Sequence, residues 1–205
     1  MDGLALLTYI ITVIVMIAVP GPVMLLVASA GLKGGYSQAL KTIFGTNTAS
    51  LILIAASICI LKGVFSLNTQ VFVVFKLIGC LYIGYLGYQT LKDARALGDE
   101  EKIDTVSPQR GGFKKGFFVG ISNPKDIIFF SAFFPQFVNV TSNINSSLVV
   151  LTFVWVILDF LTLSIVYIGF NRLSKSRHYS KILYLCGLIL MLIAVYGIAM
   201  SVMYS

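Results

Sequence analysis

Asp159 is the only charged residue between Leu148 and Phe170, in a run that is otherwise almost wholly apolar. At helical rise it lies roughly 18 Å from the nearer end of a membrane-length segment. A carboxylate at that depth costs a few kcal/mol and by default marks a proton, ion or substrate path. Lys76 lies in a second apolar run, and an ion pair between Lys76 and Asp159 is geometrically open; snorkelling of Lys76 to the outer interface is the alternative. Asn47, within Thr46-Asn47-Thr48 and close to Ser50, is a candidate to line a cavity. The same polar group could instead only tie helices together.

Two further sites break the backbone rather than add charge. Pro20-Gly21-Pro22 interrupts the run from Leu4 to Ala30. A proline inside a helix removes a hydrogen bond and clashes with the carbonyl four residues back, at about 3 kcal/mol or more. Pro20 displaces the Met16 carbonyl and Pro22 that of Ala18, and in hydrocarbon such groups must find protein, water or ligand. The restarted helix presents the N–H groups of Val23, Met24 and Leu25. In a secondary transporter, a broken span of this kind points to the binding site. Asn123-Pro124-Lys125-Asp126 is the second break: Asn123 as N-cap, Pro124 at the first helical position and Asp126 in the first turn. Either a helix begins there at the cytoplasmic surface, or a kinked or re-entrant span carries Asn123 to a polar cavity.

The elements that must position these groups are set by composition. Of 205 residues, 58% are hydrophobic and 11% charged, with a mean hydropathy of +0.93. A soluble domain carries about a quarter charged residues. Membrane-length apolar stretches recur at about 4–30, 42–61, 71–91, 116–138, 148–170 and 182–204. The expected fold is an all-α polytopic membrane domain of six transmembrane helices over 1–205. Its first half is 1–91, a cytoplasmic loop follows at 92–112, and the second half is 113–205. Broken helices 1 and 4, with a faint echo of Gly34-Gly35-Tyr36 in Gly111-Gly112-Phe113, suggest two inverted three-helix repeats. Twelve of the fifteen basic residues fall in the first, third and fifth loops, against Lys62 alone on the opposite side. The positive-inside rule then puts both termini on the non-cytoplasmic side.

That distribution accounts for the net charge of +7 without a nucleic-acid partner. No phosphate-binding glycine loop is present, so ATP is not a direct energy source within this chain. His178 is the single histidine, and Cys59, Cys80 and Cys186 fall singly in apolar runs, with no metal-ligand spacing and no cofactor implied. They are expected as small packing residues.

Pro20-Gly21-Pro22, Gly31, Gly35-Tyr36, Gly45, Lys76, Gly79-x-x-Tyr82-Ile83-x-x-Leu86-Gly87, Asn123-Pro124-Lys125, Phe129-Phe130, Phe133-Phe134-Pro135-Gln136-Phe137 and Asp159 follow one another in order. Together they resemble the LysE/RhtB family of amino-acid exporters along most of the chain. The resemblance implies an inner-membrane (plasma-membrane) exporter of amino acids or close derivatives, driven by proton antiport. Asp126, where a small or apolar residue is more usual, and Ala49, where a second glycine is common, depart from the family pattern. An amino acid is a zwitterion, and the residues offer both poles. The helix start after Pro22 suits a carboxylate, while the Met16 and Ala18 carbonyls with Asp159 suit an ammonium. Asp159 with Lys76 is the expected proton-coupling pair. The expected partners are a small amino-acid substrate and the lipid bilayer, with a homodimer one permitted assembly. Two other functions compete. Export of a metal or inorganic ion would need clustered ligands, and a transmembrane thiol–disulfide carrier would need cysteines at the breaks.

Overall fold

The computed structural model describes residues 2–65, 69–99, 110–173 and 179–203, and among these it is helical with no strand. The first helix, α1 (Gly3–Ala18), starts on Asp2, whose carboxylate accepts from Leu4 N and Ala5 N at 3.1 Å each. It stops at Val19, which is extended (φ −65°, ψ 130°). Val19 precedes Pro20, and the residue before a proline is pushed out of the helical region. Pro22 then sits at the first position of α2 (Pro22–Phe65), where its missing N–H is of no consequence.

α2 is not one rod. Gly34 (φ −129°, ψ 16°) and Gly35 (φ 68°, ψ −172°) leave helical geometry, and the positive φ at Gly35 is open to glycine without penalty. A methyl placed on Gly111 would strike both Ala30 Cβ and Thr42 Oγ1. Those two residues would be about 18 Å apart on a straight helix, so the chain doubles back at the glycine pair. The loop expected over 31–41 is therefore confined to this turn, with helix on both sides. α3 (Thr69–Asp99) is 31 residues long and takes in Lys92, Asp93 and Arg95, which were expected in the loop after it. Residues 100–109, the centre of that loop, lie outside the described residues.

The fourth expected span, 116–138, is assembled from four pieces. α4 (Phe113–Ile121) and α5 (Pro124–Ile128) meet at the Ser122–Asn123 junction, and α4 is bent by 53° from the stretch Pro124–Phe137. Residues 116–121, ahead of the Asn123 start, are thus helical as well, and the two helices meet at a sharp bend. After α5 the backbone widens into a π turn, Phe129–Phe133, and tightens into a 3₁₀ turn, Phe134–Phe137. Pro135 explains the irregularity: it has no N–H to donate and its ring collides with the Ser131 carbonyl, so a plain α-ladder cannot continue. Ser57 of α2 donates to the Phe130 carbonyl at 2.5 Å, fastening the irregular stretch from outside. α6 (Ile144–Leu173) and α7 (Tyr179–Met203) are regular.

Glycines let backbones touch in two seams. On α4, a side chain at Gly116 would hit the Thr42 carbonyl of α2, and one at Gly120 would come within 2.9 Å of Ala49 Cβ. On α3, a side chain at Gly79 would hit the Ala132 carbonyl, while Gly87 faces Gly187 and Met191 of α7. Small-residue contacts of this kind are what hold helices together in lipid, where apolar side chains gain nothing from leaving their surroundings. Cys80, buried in the same face, donates Sγ–H to Gln136 Oε1 at 3.3 Å. Cys59 is exposed and Cys186 half-buried, and all three are free thiols.

The segments Pro22–Lys62, Ile144–Gly169 and Ser180–Ala199 are each long and apolar enough to cross a membrane, and the bent pair makes a fourth. Large apolar residues face outward on α6 and α7, among them Val149, Phe153, Ile165, Leu192 and Val195. A soluble protein seldom exposes so much apolar area. The chain is a multi-pass membrane protein.

Candidate functional site

Helix breaks and polar residues converge at one place in the bundle. The end of α1 comes first. The Val19 N–H closes on Val15 O at 3.0 Å, but proline leaves carbonyls beyond it without the next turn of donors. Lys125, from the other break, supplies the donor. Its Nζ donates to Met16 O at 2.6 Å and to Val19 O at 3.1 Å. The carbonyl pair satisfied in this way is Met16 and Val19; Ala18, the second carbonyl expected to be free, is not a partner of Lys125. Gly21 lies against the ammonium, for a Cβ there would stand 3.3 Å from Nζ. The Leu25 N–H, expected to be free, instead bonds Gly21 O at 2.9 Å, because the Gly21 carbonyl already accepts the first bond of α2. Val23 and Met24, buried in the core, are its first donors. Met16 is buried, Pro20 and Gly21 are half-buried, and Pro22 is exposed.

The second break carries its own cap. Asn123 is extended (φ −73°, ψ 111°) and its Oδ1 accepts from Lys125 N at 3.3 Å. Ile127 N bonds Asn123 O at 3.0 Å, with Pro124 at the first helical position and Asp126 in the first turn. These are the roles the sequence predicts. Asn123 is 1% exposed and its Nδ2 has no hydrogen-bond partner. The Asp126 carboxylate stands beside it without closing a full bond.

Asp159 of α6, 4% exposed, accepts from Asn47 Nδ2 of α2 at 3.0 Å. Two residues singled out separately in the sequence thus form one pair across 112 positions. Asp126 is also close enough to Asp159 for the two charges to act on each other, and Tyr82 of α3 is within the same reach of Asp126. The side chain of Lys76 lies outside the described residues, so a Lys76–Asp159 contact has no structural description. Among the described residues, no three His, Cys, Asp or Glu side chains gather as a metal site.

Aromatic rings wall the site on one side. Trp155, one turn from Asp159 on α6, packs on Phe129 and Phe130 with ring centres 5.4 and 4.5 Å away. Tyr9 of α1 packs on Phe134 and Phe137 and donates its hydroxyl to Leu151 O at 3.1 Å. The Trp155 Nε1–H, like Asn123 Nδ2, is buried and unpaired. Sequence reasoning passed over Lys125 and Asp126 as members of the site. The available signal was an adjacent Lys-Asp pair inside a span, directly after a helix start.

The family model of the LysE type translocators matches residues 14–201, a stretch that takes in both breaks, Asn47 and Asp159. The chain belongs to this family. Leucine efflux proteins of Salmonella choleraesuis, Salmonella paratyphi A and Salmonella typhimurium are each 30% identical to it over 139 residues. The aligned stretch covers 66% of this chain and 64% of each relative, so the chain matches less than two thirds of their length. No solved structure matches it. The family resemblance read from the Pro-Gly-Pro, Asn-Pro-Lys and Phe-Pro-Gln-Phe segments is therefore borne out.

Proposed function

We propose that this protein exports amino acids or close derivatives across the inner (plasma) membrane by proton antiport, with its cargo bound where the two helix breaks meet. The observation that carries the reading is Lys125, which bridges from the second break to the carbonyls of the first. Two interrupted spans that complete one another at depth are a costly arrangement unless the interruption is used. The leucine efflux proteins among the relatives support an amino-acid cargo. Asp159, held by Asn47, is the proposed proton-coupling group, with Lys76 as its second partner. The substrate contacts are proposed at Met16, Ala18, Pro20, Gly21, Pro22, Val23, Met24, Asn47, Asn123 and Pro124. Six crossings are proposed, α1 with the first arm of α2 making one and the second arm of α2 the next, with both termini outside on the basic-residue asymmetry.

The test is efflux from vesicles loaded in turn with each of the twenty amino acids, with and without an imposed pH gradient. A subset, leucine included, is expected to leave faster when protons can enter in exchange. Efflux that ignores the gradient would remove the antiport reading, and efflux of no amino acid would remove the cargo class. Sidedness is read by labelling: Glu100→Cys is expected to react only from the cytoplasm and Ser205→Cys only from outside.

A further inference from the structure

We infer that Lys125 reads the carboxylate of the cargo, with Asn123 Nδ2 as a second donor, while Asp126 and Asp159 face the cargo's amino group. This deepens the amino-acid-export reading and rests on it. A lysine ammonium has three N–H donors. Two of those on Lys125 are spent on Met16 O and Val19 O, and no described carboxylate lies within 4 Å of Nζ. The third donor is therefore uncommitted, and the only groups that hydrogen-bond the ammonium are neutral carbonyls, with the Asp126 carboxylate near enough to act on its charge. Nζ also rests against Gly21, beside the start of α2. That helix end is positive and its first N–H groups lack intrahelical partners. Asn123 Nδ2 adds a buried donor that closes no full hydrogen bond, although the Asp126 carboxylate stands beside it. An unspent cationic N–H, a positive helix end and an orphan amide form a set of donors in want of an acceptor. A carboxylate fits that want.

The acceptors lie next to it. Asp126 follows Lys125 in α5 and faces Asp159 on α6, both of them under a tenth exposed. Asp159 has one side-chain donor, Asn47, and no described basic group lies within 4 Å of either acid. Two carboxylates with lone pairs to spare suit an ammonium. Donors and acceptors thus stand side by side at the start of α5, as the two poles of an α-amino acid do. The poles keep the ends of the site expected from the sequence, but the Met16 carbonyl drops out as a partner of the cargo's amino group because Lys125 already occupies it.

The test compares leucine with leucinamide, which keeps the amine and side chain but lacks the carboxylate. Wild-type vesicles are expected to export leucine in clear preference. Lys125→Gln is expected to slow leucine by roughly 10- to 100-fold, the worth of a lost charge-assisted hydrogen bond, and to leave leucinamide much less affected. Lys125→Arg should keep the preference. Equal loss for both solutes would overturn the assignment and leave Lys125 as a helix tie. A binding measurement on the purified wild-type protein guards against variants that fail to fold: leucine should raise its melting temperature and leucinamide should not. Equal stabilisation by the two would likewise overturn the proposal. Export of neither leucine nor any other amino acid would instead strike the parent reading.

Discussion

The two breaks in this bundle look alike in sequence, each built around proline, yet they are finished in opposite ways. The second is capped from within: Asn123 supplies both the extended residue and the Oδ1 acceptor for its own helix. The first has acceptors and no local donor, so its carbonyls are met by a lysine 109 residues along the chain from Met16. One break is self-sufficient and exports a cation; the other is incomplete until that cation arrives. A proline break in a membrane span is thus only half a description, and the other half is which group answers the freed backbone.

The contrast can be broken most severely at the first break. Replacing Pro20 and Pro22 together with alanine lets α1 run on into α2, recapturing the carbonyls that Lys125 now holds. The protein is expected to insert and fold while efflux drops to background; transport at the wild-type rate would make the prolines a packing kink. Next in size is Asp159→Asn, which keeps the Asn47 contact feasible but removes the titratable charge. It is expected to abolish gradient-driven efflux and spare solute exchange. Return of driven efflux on adding Lys76→Met would reduce Asp159 to an ion-pair partner. Lys125→Met tests the dependence of one break on the other. Two carbonyls lose their donor, at about 1–3 kcal/mol each, and melting in detergent should show it. The smallest effect is expected at the self-capped break, where Asn123→Ala removes a single cap bond worth about 1 kcal/mol. Equal losses for Lys125→Met and Asn123→Ala in the same melting measurement would erase the asymmetry.

Both break positions were legible in the sequence because proline acts locally: Pro20, Pro22 and Pro124 fix backbone behaviour whatever surrounds them. The Asn123 cap was legible for the same reason. Asp159 and Asn47 could each be singled out by the cost of a polar group in an apolar run, but not their pairing, which joins α2 to α6 and depends on helix rotation. The reach of Lys125 was hidden likewise, since a lysine near a helix start reads equally well as a headgroup contact. The π and 3₁₀ turns after Ile128 left only Pro135 as a trace, because phenylalanines sit as readily in an α-helix. At Gly34-Gly35, polar residues on both sides suggested a long loop, whereas the glycine pair alone turns the chain.

The glycine seams have a mechanical meaning. Where Gly116 lies on the Thr42 carbonyl and Gly120 on Ala49, no flexible side chain lies between α4 and the second arm of α2 to absorb a sliding motion. Between α3 and α7, Gly87 and Gly187 also let the backbones touch, but the Met191 and Leu91 side chains share that contact. The seam between α4 and the second arm of α2 therefore resists sliding more than the one between α3 and α7. Any cycle that exposes the cargo first to one side and then to the other must bend at joints outside that seam. Of these, the 53° elbow between Ile121 and Pro124 sits two residues from the lysine that reaches across to the first break.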